Sequence, residues 1–198
     1  ASSGDTSPRA ADMVLSDGEI ARRVEIDRMI DPFVDHQIGA GVVSYGLSSY
    51  GYDFRIGTRF RILRADHAGP VDPKAFDEDA FQDVTVPDFC VVPPRTFTLG
   101  ASVEYFRIPR DLVTVCFGKS TYARCGLVLN VTPFEPEWEG HATLAIVNTG
   151  PAPVRVYANE GIAQLLFLRA SAVCQVSYKD RRGRYDKQQG IVPARIDG

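Results

Sequence analysis

The chain has 198 residues, 44% of them hydrophobic and 24% charged, with a formal net charge of -3. That length suits one domain with a sizeable core, and the charge gives no global reason to hold a nucleic-acid polymer, whose recognition needs a basic face. No run approaches the 18 consecutive apolar residues of a spanning helix, and the start lacks the cationic, apolar and small-residue succession of a secretory signal, so a cytoplasmic protein without a membrane partner is expected.

Residues 1–12 are small and polar and precede Met13, which reads as a translation start; they are expected to be a leader or expression remnant outside a single domain over 13–198. From Leu15 the chain offers a helix start. Ser16 is the N-cap, Glu19 stands where it would close a capping box, and Leu15 faces Ile20 as a staple, predicting one amphipathic helix over residues 17–29. The pattern then changes to short runs rich in Val, Ile, Leu, Phe and Thr, as at 112–117, 126–132, 141–148, 153–157 and 162–168. Turn signals such as Asn148-Thr149-Gly150-Pro151 separate them, which suggests an all-β barrel or folded sheet rather than βαβ units. Cys90, Cys116, Cys125 and Cys174 form no Cys-x-x-Cys pair, and three of them sit in or beside apolar runs, where small buried thiols are common.

The tail over 177–190 gathers Lys179, Arg181, Arg182, Arg184 and Lys187 around Tyr178 and Tyr185. Composition alone favours a solvated, disordered end. A lid that closes over phosphates, with a tyrosine stacking on a base or sugar, is the sharper reading.

Directly after an apolar run, Gly118-Lys119-Ser120-Thr121-Tyr122-Ala123-Arg124 puts two cations and two hydroxyls within six residues. Lysine supplies a point charge, arginine a planar fork of donors and the hydroxyls further hydrogen bonds, a set that suits phosphate. It is no P-loop, whose first glycine would stand at the position held by Val113.

Those residues, with Thr132-Pro133-Phe134-Glu135-Pro136-Glu137-Trp138-Glu139-Gly140, the tail's Tyr178 and Gln188-Gln189-Gly190, and the segments 15–17, 44–55 and 103–110, resemble the bacterial dCTP deaminases over most of the chain. The resemblance implies a mainly β fold, a distorted barrel of the dUTPase-like type with one N-terminal helix and a flexible C-terminal lid. It further implies a homotrimer with active sites at subunit interfaces, conversion of dCTP to dUTP and ammonia, Mg2+ carried by the triphosphate, and inhibition by dTTP. By the same resemblance Lys119, Ser120, Thr121, Tyr122, Ala123 and Arg124 line the phosphate and catalytic region, with Ser120 and Arg124 assisting the tetrahedral intermediate. Glu135 matches a carboxylate near the deoxyribose, Thr143 and Leu144 contact the pyrimidine through backbone groups, and Gln164, Tyr178, Arg184 and Gln188 complete the nucleotide site.

Zinc-dependent cytidine deaminases need a His-x-Glu or Cys-x-Glu element and a Pro-Cys-x-x-Cys element; the sequence holds neither, so no zinc is expected and water must be activated by a general base. In the family that base is a glutamate seven residues after the tryptophan. Seven residues after Trp138 stands Ala145. Strand alternation puts Thr143, Ala145 and Val147 on one face, so Ala145 points where the base would point, and a methyl group accepts no proton. Either a Glu-to-Ala change made to trap substrate or a homologue that has given up the reaction accounts for it, and the otherwise intact binding set favours the first. A bifunctional dCTP deaminase and dUTP diphosphatase, with Glu135 activating water at the phosphates, and a non-catalytic dCTP- or dTTP-binding homologue are the alternatives.

Plainer roles are expected elsewhere. Trp138 reads as packing under its loop, His141 as structural, and Asp53 with Arg55 as an ion pair near an interface; Tyr45, Tyr50, Tyr52 and Phe54 read as core and subunit interface.

Overall fold

The computed structural model describes residues 13–196, so the leader expected over 1–12 lies outside the described residues. Helix α1 (Asp17–Asp27) starts where its cap dictates: Ser16 is extended and its hydroxyl accepts the Glu19 N–H at 3.5 Å. Leu15 and Ile20 are both buried. The capping box is not closed, because the Glu19 carboxylate is taken by Arg22, at 2.7 and 2.9 Å, and by Arg169 at 2.8 Å. The helix also stops two residues before the expected 29. Arg28 turns left-handed (φ 52°) and returns its N–H to Val24 O, an αL cap that ends the helix and frees Met29 for the core.

The strands follow as β1 (Ile30–Asp31), β2 (Gly46–Ser48), β3 (Gly51–Leu63), β4 (Phe81–Thr85), β5 (Phe89–Val92), β6 (Phe97–Arg107) and β7 (Leu112–Gly118). A single helical turn, α2 (Ser120–Ala123), precedes β8 (Leu127–Asn130), β9 (Glu139–Asn148), β10 (Val154–Tyr157) and β11 (Gly161–Arg169). One helix was expected; α2 is a second, inside the phosphate-type segment.

All strand pairings are antiparallel, in the order β7-β11-β3-β6-β9-β8, with β1 added to β6, β2 and β4 to β3, and β5 paired with β10. The sheet curls until its outer strands approach one another: a Cβ on Gly118 of β7 would lie 2.9 Å from Leu129 Cδ1 of β8. The result is a mainly β, nearly closed barrel, as expected. Its long strands bend at register shifts, between Ile56 and Phe60 in β3 and between Ala101 and Tyr105 in β6.

Inside, Phe54 meets Phe106 edge-on at 5.4 Å, Phe106 meets Phe134 at 5.3 Å, and Phe134 meets Trp138 at 4.7 Å, a run of rings from the core to the loop before β9. Asp53 and Arg55 do not pair with each other. Arg55 donates through N (2.9 Å) and Nε (2.8 Å) to Glu104, which is fully buried, and burial pushes that carboxyl up from its usual range despite Arg55. Asp53 takes Lys119 instead. Tyr52 and Phe54 are buried in the core, whereas Tyr50 is exposed.

Glu19 gives the fold a pH dependence of known sign. Hydrogen bonding from Arg22, aided by Arg169, lowers its carboxyl from 4.5 to about 2, so its contribution is present above pH 4.5 and is lost as pH falls toward 2. Urea denaturation of Glu19→Gln is expected to show a loss of less than about 1 kcal/mol at pH 7, because the pair is largely solvated, and a difference from the parent that shrinks steadily as pH falls from 4.5 toward 2.

Candidate functional site

A cleft of about 1080 Å³ opens beside β9. Its floor is set by strict alternation: Gly140, Ala142, Leu144, Ile146 and Asn148 are buried, while His141, Thr143, Ala145 and Val147 lie on the other, half-exposed face. Ala145 therefore shares a face with Thr143. Thr143 lines the cleft; Ala145, two residues further on, is not part of its lining.

Strand β8 covers the edge of β9 only as far as the Asn130–Ala145 pair, and the tail takes up that edge again at Gly140, beside Gln188. Between them Ala142 and Thr143 contribute to the lining of the cleft. A stretch of sheet edge not covered by a neighbouring strand is a place where peptide groups can read a planar ligand, as they would read a strand.

The opposite wall is the tail. Lys187 N donates to Glu139 O at 2.7 Å, His141 N to Gln188 O at 3.1 Å, and Val192 N to Thr143 Oγ1 at 3.1 Å, while Gln188 Nε2 reaches His141 O. Gly140 permits this approach: its φ is 149°, and a Cβ there would sit 3.1 Å from Gln188 backbone. Tyr178 OH accepts from Tyr185 N at 2.9 Å, and burial raises its phenol above the ordinary range. Trp138 donates from Nε1 to Tyr185 O at 2.8 Å while packing on Phe134. Arg184 lies in the wall with Arg181 and Arg182, and Arg181 pairs with Glu135 across the cleft. Contacts of the tail with the body thus continue past residue 190, the expected end of the lid, to Val192. Arg181, Arg182 and Tyr185, expected only as members of a charged tail, line the cleft as well.

The phosphate-type segment stands elsewhere. Lys119 stands at the N-cap of α2 with its side chain only 10% exposed, Nζ 2.6 Å from Asp53 Oδ2, and Asp53 Oδ1 has no partner. Ser120, Thr121, Ala123 and Arg124 are exposed; Arg124 folds back to donate from Nη1 to Ser120 O at 3.0 Å. Tyr122 is buried, its hydroxyl accepts the Tyr157 N–H, and burial pushes it up to about 12. Thr121 borders a smaller hollow of about 550 Å³ with the Gly39–Ser44 loop and Glu160. Gln164 meets Ser48 Oγ at 3.4 Å, also away from the cleft lining. One chain therefore assembles Glu135, Thr143, Tyr178, Arg184 and Gln188 around a cleft, and carries Lys119 to Arg124 and Gln164 outside it. Leu144 is fully buried and can meet a ligand only through its backbone. Among the described residues no cluster of three or more His, Cys, Asp or Glu is placed to hold a metal ion, and no helix is long and apolar enough to cross a membrane.

Residues 14–170 match the family model described as dCTP deaminase-like. The chain belongs to the dCTP deaminase-like family. Among members of that family it is 59% identical over 168 residues to a dCTP deaminase of Wolinella succinogenes, covering 85% of this chain and 90% of that one. It is 57% identical over 170 residues to one of Chlamydia pneumoniae, covering 83% and 89%. In fold it is similar, at a TM-score of 0.58 and 14% identity, to the crystal structure of 2'-deoxycytidine 5'-triphosphate deaminase from Agrobacterium tumefaciens; the likeness covers 82% of this chain and about half, 49%, of that one. The family match ends before the tail that walls the cleft.

The Lys119–Asp53 pair, nearly buried, ties the start of α2 to β3. Asp53→Ala leaves a buried ammonium without its counter-ion, and a loss of about 3 kcal/mol in urea denaturation is expected, against a smaller loss when Lys119→Met is added to it.

Proposed function

We propose that this chain is a dCTP deaminase by architecture, built to take dCTP and water to dUTP and ammonia, and impaired at the position of its general base. The observation that carries the reading is its 59% identity, across most of both chains, to a protein of that name. The cleft supports it, with a gap in a sheet edge and a wall of arginines and tyrosines; Ala145 lies outside the lining of one chain but on the strand face of Thr143, which lines it.

In this reading the pyrimidine lies against the backbone of Thr143 and Leu144, Glu135 accepts from the sugar hydroxyl, and Tyr178, Arg184 and Gln188 close over the nucleotide as a lid. Lys119, Thr121 and the backbone of Tyr122 and Ala123 hold phosphate oxygens, with Gln164 beside them. Mg2+ rides on the triphosphate. Deamination adds water to the ring carbon bearing the amino group, and the tetrahedral intermediate is steadied by donors from Ser120 and Arg124. A carboxylate at position 145 takes the proton from water and returns it to the leaving ammonia. Ala145 does neither. Since Lys119 to Arg124 lie apart from the cleft in one chain, the complete site joins this segment of one subunit to the cleft of another, in a homotrimer working in the cytoplasm with dTTP as a competing ligand.

Ammonia and pyrophosphate release from dCTP, measured for the chain and for Ala145→Glu with binding checked in both, tests the reading. Glutamate is expected to raise ammonia release by at least about a hundredfold while dCTP affinity stays similar. Binding without turnover in both proteins would mean a non-catalytic nucleotide binder. Pyrophosphate beside ammonia would mean the bifunctional enzyme, and brisk turnover by the alanine form would mean that the base lies elsewhere.

A further inference from the structure

Arg110, between β6 and β7, is not part of the cleft lining and has no part in the chemistry above. Its guanidinium nevertheless gathers three stretches of chain. Nη1 donates to Glu137 Oε2 at 2.6 Å; Nη2 donates to Asp180 Oδ2 at 2.8 Å and Gln175 O at 3.0 Å; Nε donates to Cys174 O at 3.3 Å. A planar fork can serve four acceptors at once in fixed directions; an ammonium is a single point.

What Arg110 grips is the root of the tail. Asp180 also accepts from Ser177 N at 3.0 Å while its own N–H donates to Ser177 Oγ at 3.2 Å, a reciprocal cap around a serine that is almost fully buried. Tyr178 N then donates to Pro136 O at 3.0 Å, and from this point the tail forms the cleft wall. Glu137, on the same loop as Pro136 and Trp138, is thereby tied to the same guanidinium as Asp180. An isolated surface pair contributes little, but here one cation fixes the tail and the loop against each other just where both enter the cleft.

We propose that Arg110 is the positioning residue that sets the register of the tail over the nucleotide cleft, so that affinity for a nucleoside triphosphate depends on a side chain that does not touch it. This rests on the cleft being the nucleotide site, as proposed above. Calorimetric titration of dCTP into the chain, Arg110→Gln, Arg110→Lys, Asp180→Asn and the Gln/Asn double variant tests it. The expected result is a Kd raised about tenfold by Arg110→Gln, partial recovery with lysine, and a double variant no weaker than Arg110→Gln alone. The thermal midpoint should shift by only a few degrees, and trypsin should cut faster between Lys179 and Lys187. Unchanged dCTP affinity in Arg110→Gln, or additive effects of the two substitutions, overturns the proposal while leaving the nucleotide site intact. Failure of the parent chain itself to bind dCTP removes the site reading and the proposal with it.

Discussion

Everything at the cleft depends on the period of two along β9. Leu144 and Ile146 are fully buried, and a slip of one residue would exchange the core face for the cleft face along the whole strand. Polar anchors keep the register. Ser102 Oγ accepts from Ala142 N at 2.8 Å, and Asn148 Nδ2 donates to Val92 O at 3.1 Å and Ala152 O at 2.8 Å, pinning the strand near both ends. The direction of position 145 is thus decided by neighbours that never meet a ligand.

Charge is handled differently in the two halves of the molecule. Within the barrel each of two buried carboxylates has a dedicated cation, Glu104 with Arg55 and Asp53 with Lys119, and those pairs hold β3 to β6 and to the start of α2. Around the cleft the cations are exposed, as with Arg181 on Glu135 and Lys187 on Glu139. Exposed pairs cost little to rearrange, so the tail can exchange protein carboxylates for a more highly charged anion, whereas breaking the interior pairs would strand a charge in low dielectric.

Much of this was legible in the sequence. The Ser16 cap gave the helix start, and apolar runs gave β7, β9, β10 and β11 to within two residues at each end. Strands β3 and β6, the longest, were not read as strands, because polar and charged residues such as Arg59, Arg61, Thr98 and Glu104 interrupt their apolar pattern, and the partners that settle Arg61 (Asp83) and Glu104 (Arg55) are distant in the sequence. The αL end at Arg28 carried no glycine to announce it. At the site, the face of Ala145 followed from alternation alone. The separation of Lys119 from the cleft and its pairing with Asp53 did not, since both arise from how β7 and β3 flank β11 in space. Arg110 was invisible as a clamp for the same reason: two of its four acceptors are backbone carbonyls, which leave no mark in a sequence.

The ring run from Phe54 to Trp138 ends at the tail. Trp138 is the sole tryptophan of the chain, and its indole N–H is bound to Tyr185 O while its ring rests on Phe134. The protein consequently carries its own optical reporter: any opening of the tail exposes that indole nitrogen to water and shifts the emission of a single fluorophore, so the motion of the cleft wall can be followed in real time without a label.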